Sequence, residues 1–334
     1  MLDVFGRRPY LVLLVLALLL LAVPFLPLDD YILHILTLFL IFAVFATGWN
    51  LTLGILGLKT LGHHAFFAIG AYASALVSHY FGVSPWLTVW IGAIAASIAG
   101  IVIGFPILRI RSMPHVAIVT LAFAEIVRLV FSNLKEITRG ELGFWGIPPF
   151  NPIEIGGTTI RFGLGNSFGS FAVAAVMFVA IHLLLLVLLR SRAGLTFLAI
   201  RDAEAAAESL GVRLAAWKLF AFGISAAVVG LSGAVYAHYV LILTPSSVAG
   251  PEMLISLLAM IIVGGVGRFF GPLYGALLLT VTSELLRDFG DYRMLLYGAL
   301  IIVFVFAAPA GIAGLKPSLR RKPHQAASEP AEAV

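Results

Sequence analysis

Glu125 and Arg128 stand three residues apart in Thr120-Leu121-Ala122-Phe123-Ala124-Glu125-Ile126-Val127-Arg128, a stretch otherwise without charge. One helical turn separates them, so carboxylate and guanidinium can pair on one face. Glu284-Leu285-Leu286-Arg287 repeats the spacing. A charge at the centre of a membrane helix costs roughly 2.5–3.5 kcal/mol on insertion scales. Such a pair is by default a structural ion pair near the interface, and alternatively a group that meets substrate or a proton. His63, His64, His79, His182 and His238 do not recur at metal-ligand spacing on any one helix, so packed or interfacial rings are expected. Cysteine is absent, which excludes disulfides, thiolate metal sites and cysteine nucleophiles. No nucleophile, base and orienter fall together, so no catalytic residue, metal or cofactor is expected on this chain.

Further polar groups sit among glycines. Asn50, Thr60, His63, His64 and Tyr72 are flanked by Gly48, Gly54, Gly57, Gly62 and Gly70. A second cluster is Gly264-Gly265-Val266-Gly267, followed by Gly271-Pro272 and Gly275. Small residues let helices approach closely, and the spacings Gly100/Gly104, Gly271/Gly275 and Ala226/Gly230/Ala234 fit that use. Taken together, the two clusters read as interrupted helices, the device by which transporters expose backbone to a central cavity. Asn50, Thr60, His63, Tyr72, Glu125, Gly264, Gly265 and Gly267 are therefore the candidate translocation path. Asn50 and Tyr72 either line a polar cavity or bridge helices by hydrogen bonds.

The elements that must position these groups are set by composition. The 334 residues are 61% hydrophobic and 11% charged, against about 25% charged in soluble domains. Roughly 20 apolar residues span a bilayer as a helix, and lipid-exposed backbone must satisfy its own hydrogen bonds. An all-α, polytopic membrane helix bundle follows. Ten spans are expected: 10–28, 32–50, 63–82, 86–108, 114–131, 169–189, 215–240, 252–267, 271–287 and 292–314. The first, preceded by Arg7-Arg8, resembles a secretory signal but lacks a small-residue cleavage pattern, so it reads as an uncleaved span.

Ten crossings put both termini on one face, and that face takes 15 of the 21 Lys and Arg residues, including Arg190, Arg192, Arg201, Arg213 and Lys218. The positive-inside rule makes it cytoplasmic, which also accounts for the net charge of +5 without nucleic acid. Residues 1–315 then form one transmembrane domain. It carries an external loop 132–168, rich in Gly and Pro, and a cytoplasmic loop 190–214. Residues 316–334 are expected to be a disordered cytoplasmic tail.

The cytoplasmic loop contains Arg201-Asp202-Ala203-Glu204-Ala205-Ala206-Ala207-Glu208-Ser209-Leu210-Gly211. Asp202–Leu210 favours a helix, with acidic residues in its early turns and Gly211 as the C-cap. So short a helix is marginal alone, and docking on a partner would sustain it; the plain alternative is an interfacial connector. Arg201, Glu204, Ala206, Ala207, Glu208 and Gly211 are the candidate coupling residues. No Gly-x-x-x-x-Gly-Lys-Ser/Thr phosphate loop exists in the sequence, so any ATP must be hydrolysed by another chain.

These blocks resemble, in order, the permeases of branched-chain amino acid ABC importers of the LivM type, over nearly all of residues 40–310. Asn50-Leu51 with Leu61–Tyr72 resembles the early signature, Thr120–Arg128 the second, and Thr138–Pro148 the external glycine motif. Ser191–Gly211 is similar to the cytoplasmic loop, and Gly264–Gly267 with Gly271-Pro272 and Gly275-Ala276 to the late glycine signature. Thr60 stands where serine is usual, and His64 where alanine is. Arg111-Ser112-Met113-Pro114-His115 lacks the usual glycine-aromatic pattern. Four residues, rather than the three of the general importer motif, separate Glu204-Ala205-Ala206 from Gly211, so the family loop is matched better through Ala206-Ala207-Glu208. The resemblance implies a heterodimer with a second, related permease subunit in the bacterial inner membrane. It also implies two cytoplasmic ATP-binding subunits, which would hold ATP and Mg, and an external solute-binding protein delivering leucine, isoleucine or valine. Relatives in the family handle urea, amides or other amino acids. The competing expectation is a proton-coupled secondary carrier centred on Glu125; a passive channel or membrane scaffold is the third.

Overall fold

The computed structural model describes residues 9–23, 26–110, 112–155, 158–160, 162, 167–308 and 310–314. Arg7, Arg8, Arg111, Arg161 and the expected tail 316–334 lie outside the described residues. The helices that organise the rest are α1 (Pro9–Ala22), α2 (Asp30–Asn50), α3 (His63–Phe81), α4 (Pro85–Leu108), α5 (Met113–Asn133), α6 (Ser167–Arg190), α7 (Arg192–Asp202), α8 (Glu204–Ser209), α9 (Leu214–Val240), α10 (Pro245–Ala249), α11 (Pro251–Gly264), α12 (Gly271–Leu285) and α13 (Arg293–Ala307). Pro at the first turn opens α4, α5, α10, α11 and α12, where its missing N–H is no loss.

Among the described residues, seven helical stretches are long and apolar enough to cross a membrane, namely 30–55, 85–108, 113–133, 167–190, 214–240, 245–264 and 295–314. The protein is thus a multi-pass membrane helix bundle. The other three expected spans coincide with α1 (14 residues), α12 (15 residues) and α3, which opens on two buried histidines.

Helix α9 is the hub. It packs against α3 and α4 through small residues: a Cβ on Gly70 of α3 would lie 2.1 Å from the Gly230 carbonyl oxygen of α9. A Cβ on Gly100 of α4 would sit 2.5 Å from that of Ala226. Backbones this close leave no room for larger residues, which explains the glycine and alanine spacings on both helices.

The expectation of an all-α chain needs one correction. Segment 132–168 carries strands β1 (Phe144–Trp145), β2 (Ile153–Ile155) and β3 (Thr158–Ile160), and β4 (Ile242–Leu243) follows α9. β1 pairs with β4 and β2 with β3, both antiparallel. The strands lie at the ends of the long helices α6 and α9, where the polypeptide is free to pair with another segment instead of itself. His238 tethers the same loop: its Nδ1 donates to the Pro148 carbonyl at 2.7 Å. Helix α6, 24 residues long, separates segment 132–168 from segment 190–214, so the two lie at opposite ends of the bundle.

Candidate functional site

Both glycine clusters are breaks in helices. α2 passes into a single π-helical turn, Leu51–Ile55, then loses helical structure until α3 starts at His63. α11 stops at Gly264 and α12 begins at Gly271. Gly265 (φ 119°) and Gly267 (φ 76°) adopt backbone angles that a side chain disfavours. The two breaks touch. A Cβ on Gly54 would lie 2.2 Å from the Gly267 nitrogen. The buried Asn50 amide binds both sides of the second break: Nδ2 donates to the Arg268 carbonyl at 2.9 Å, and Oδ1 accepts from the Gly267 N–H at 2.9 Å. An amide supplies one donor and one acceptor, the pair these two backbone groups need. Asn50 therefore bridges elements.

The coupling segment reaches the same junction. A Cβ on Gly57 would lie 2.7 Å from Arg201 Cγ, and one on Gly267 would lie 3.6 Å from Arg201 Nη1. Arg201 thus lies over both breaks, and its Nε pairs with Asp202 at 2.8 Å. The helix expected over Asp202–Leu210 is present as α8, starting two residues later at Glu204, and a second helix, α7, precedes it across a break at Ala203 (φ −157°, ψ 80°). The break lets two faces be buried in different directions. Phe197 of α7 meets Trp217 and Phe220, while α8 buries Ala207 and ties Glu204 to Lys218 at 2.5 Å. Ser191 caps α7, accepting from the Ala193 N–H at 3.2 Å. Gly211 (φ 86°) ends α8, and the Val212 N–H bonds the Ala207 carbonyl at 3.1 Å, a Schellman closure. Ala205, Ala206, Glu208, Ser209 and Leu210 remain exposed, Leu210 by 87%.

His63, Thr60 and Tyr72 are fully buried. His63 Nε2 lies 3.0 Å from Thr52 Oγ1 and 2.9 Å from Ser225 Oγ, and Nδ1 lies 3.2 Å from Thr60 Oγ1. Trp49 stacks on the ring at 5.5 Å and donates to the Thr60 carbonyl at 3.1 Å. This polar knot holds the end of α2, the start of α3 and α9 together. Tyr72 stacks on Phe131 at 4.3 Å and reaches the Leu243 carbonyl at 3.4 Å, so it too bridges elements. His182 follows the same rule: Nδ1 donates to the Phe178 carbonyl at 2.8 Å, and Nε2 lies 3.1 Å from Thr47 Oγ1.

Glu125 stands apart from this core. It pairs with Arg128 as the sequence spacing predicts, Nε to Oε2 at 3.0 Å, on the open face of α5. Glu141, from segment 132–168, adds a second carboxylate 3.8 Å from Arg128 Nη1. Glu141 accepts from Ser132 Oγ at 2.7 Å, and Ser246 at the start of α10 acts on the same carboxyl. Partial burial pushes the Glu141 pKa up; the bonds from Ser132 and Ser246 and the Arg128 charge outweigh it and leave it lowered.

Asn50, Gly264, Gly265, Gly267 and Arg201 are thus brought together; Thr60 and His63 form the adjoining knot; Tyr72 and Glu125 lie elsewhere. Sequence reading did not assign Thr52, Ser225, Lys218 or the Glu141 carboxylate, which are isolated polar residues whose partners are remote in sequence. An apolar recess of about 460 Å³ between α4, α6 and α9, bounded by Trp86, Phe150, Phe162 and Met177, includes none of these groups.

Residues 31–305 match the family described as branched-chain amino acid transport system / permease component. The chain is 37% identical to the high-affinity branched-chain amino acid transport system permease protein LivM of Escherichia coli (strain K12), over 88% of this chain and 73% of that protein. It is 24% identical to the LivH permease of Salmonella typhimurium, over 82% of this chain and 91% of that protein. A nucleoside ABC transporter permease, NupC of Lactococcus lactis, is 26% identical over 61% of this chain and 66% of that protein. No solved structure matches the chain significantly.

Proposed function

We propose that this chain, which belongs to the branched-chain amino acid transport permease family, moves leucine, isoleucine, valine or related small amino acids and amides through a path gated at its two helix breaks. The observation that carries this reading is the position of Arg201 over Gly57 and Gly267. Arg201 stands at the end of α7 and reaches both breaks, which offers a displacement of α7 a short route to them.

In this reading ten helices cross the bacterial inner membrane, with both termini, segment 190–214 and residues 316–334 in the cytoplasm. A second, related permease completes the path, and of the two ATP-binding subunits one docks here at α8, where exposed Ala206 and Leu210 offer a small apolar tip with Glu208 beside it. Glu204, Ala207 and Gly211 fix that tip by an ion pair, a buried methyl and a helix cap. ATP and Mg belong to those subunits. An external solute-binding protein loads the opposite end, at segment 132–168. The His63 knot and the Asn50 bridge hold the arrangement seen here, and Gly264, Gly265 and Gly267 supply the backbone freedom to leave it.

The test is vesicle uptake by the assembled importer. ATP should drive concentrative leucine accumulation, and an inactive ATPase should abolish it. Accumulation by this chain alone under a proton gradient, lost in Glu125→Gln, would establish the carrier instead.

A further inference from the structure

Two carboxylates and one guanidinium meet on the open face of α5, leaving one negative charge unbalanced. Glu125 is 48% exposed, Glu141 47% and Arg128 25%. Glu125 is eight residues from the end of α5 at Asn133, about 12 Å at 1.5 Å per residue. That depth lies within a hydrocarbon core about 30 Å thick. Charges at such depth face protein or a water-filled cavity, because lipid does not solvate them. The neighbours on that face are apolar, Leu121, Ala122, Ile126 and Leu129. Ser132 holds Glu141 over the outer end of the pair, its Oγ donating to the carboxylate at 2.7 Å, so the polar groups form a short track from segment 132–168 into the span.

We propose that this triad is the point at which the permease receives a zwitterionic α-amino acid, the substrate carboxylate taking Arg128 and its ammonium lying between Glu125 and Glu141. The charges suit this ligand. Arg128 offers a planar fork of donors that a carboxylate engages in two places. When the substrate carboxylate displaces Glu125 there, Glu125 and Glu141 are left to neutralise the ammonium. The incoming molecule is net neutral, so the site keeps its total charge while every charged group finds a partner. A branched aliphatic side chain would meet the apolar surface of Leu121 and Ile126. Arg128 and Glu141 are thereby added to the path, and the proposal rests on the importer reading.

The absence of cysteine in this chain makes the test direct. Ala122→Cys places a single thiol one turn from Glu125. The complete complex, in lipid vesicles, is treated with a water-soluble cationic thiosulfonate reagent, and modification of this chain is read by mass. Modification should occur, and saturating leucine should slow it at least about threefold, while leucinamide, which lacks the carboxylate, protects less. No modification with or without ATP means a lipid-facing surface and overturns the proposal, as does modification that leucine leaves unchanged. A structural ion pair is separated from a substrate site by charge exchange. Arg128→Gln should lower leucine uptake at least about tenfold, and the double variant Glu125→Arg/Arg128→Glu should stay equally low. Recovery in the double variant shows that pairing alone suffices and overturns the proposal. Should the unsubstituted complex fail to accumulate leucine with ATP, the importer reading fails, and leucine protection of the introduced thiol still decides the site.

Discussion

The Asn50 side chain holds the Gly267 peptide N–H at 2.9 Å across 217 residues of sequence, and its amide nitrogen holds the next carbonyl, that of Arg268, at the same distance. One buried amide thereby joins two interrupted helices. Removing it leaves a part-buried donor and acceptor without their partner, at up to about 1–3 kcal/mol each.

Asn50→Ala should therefore destabilise the protein by about 1–3 kcal/mol. Thermal unfolding of the purified complex measures this. Asn50→Asp keeps an acceptor for Gly267 but sets a carboxylate against the Arg268 carbonyl, so it should rescue little. A melting temperature unchanged in both variants would show that the bridge carries no stability.

Gly54 tolerates no side chain. A Cβ there would lie 2.2 Å from the Gly267 nitrogen and 2.7 Å from its Cα, both backbone atoms that cannot rotate aside. Gly54→Ala must push the breaks apart, and uptake should fall at least about tenfold at equal membrane abundance. Gly82, whose Cβ position is empty, serves as the control; its left-handed φ of 64° makes Gly82→Asn the appropriate substitution.

At α8, Leu210→Asp and Ala206→Glu alter only exposed positions, so stability should move by no more than about 0.5 kcal/mol. ATP hydrolysis and uptake should nevertheless separate, with hydrolysis continuing while accumulation falls. Gly211→Val acts differently, by forcing a β-branched residue to a φ of 86°, and should also lower the melting temperature. Glu204→Gln breaks a partly exposed pair with Lys218, worth at most about 1 kcal/mol. Unaltered coupling in all four variants would remove α8 from the mechanism.

The Glu141 carboxyl gives a pH dependence with a definite sign. Its folded-state pKa is lowered, so the folded state binds the proton less tightly than the unfolded state. The stabilisation it contributes is complete above the ordinary carboxylate pKa of 4.5 and is lost as pH falls through the lowered value. Glu141→Gln should flatten that acid limb in melting temperature against pH. An identical acid limb in the variant would contradict the assignment.

Much of the architecture was legible in the chain because the controlling interactions are local. Apolar runs fix the solvent, prolines and glycines mark where helices start and stop, and Glu125 with Arg128 needs only one helical turn to pair. The interrupted helices were legible too, since Gly265 and Gly267 cluster within three residues. The helix ending at Gly211 is legible from propensity and its glycine cap, whereas α7 before it and the break at Ala203 are not, because burial of Phe197 and Ala207 and the Glu204–Lys218 pair depend on contacts with α9.

What the sequence determined alone was therefore a membrane helix bundle with two glycine-rich interruptions and a charged segment between two spans. Only the tertiary structure decided that the interruptions touch, that Arg201 lies over both, that His63 is satisfied by Thr52, Thr60 and Ser225, and that Glu141 joins Arg128. Short-range periodicity encodes helices because their hydrogen bonds close within four residues. The site is made of side chains and backbone meeting across tens to hundreds of residues, and no spacing along the chain records such encounters.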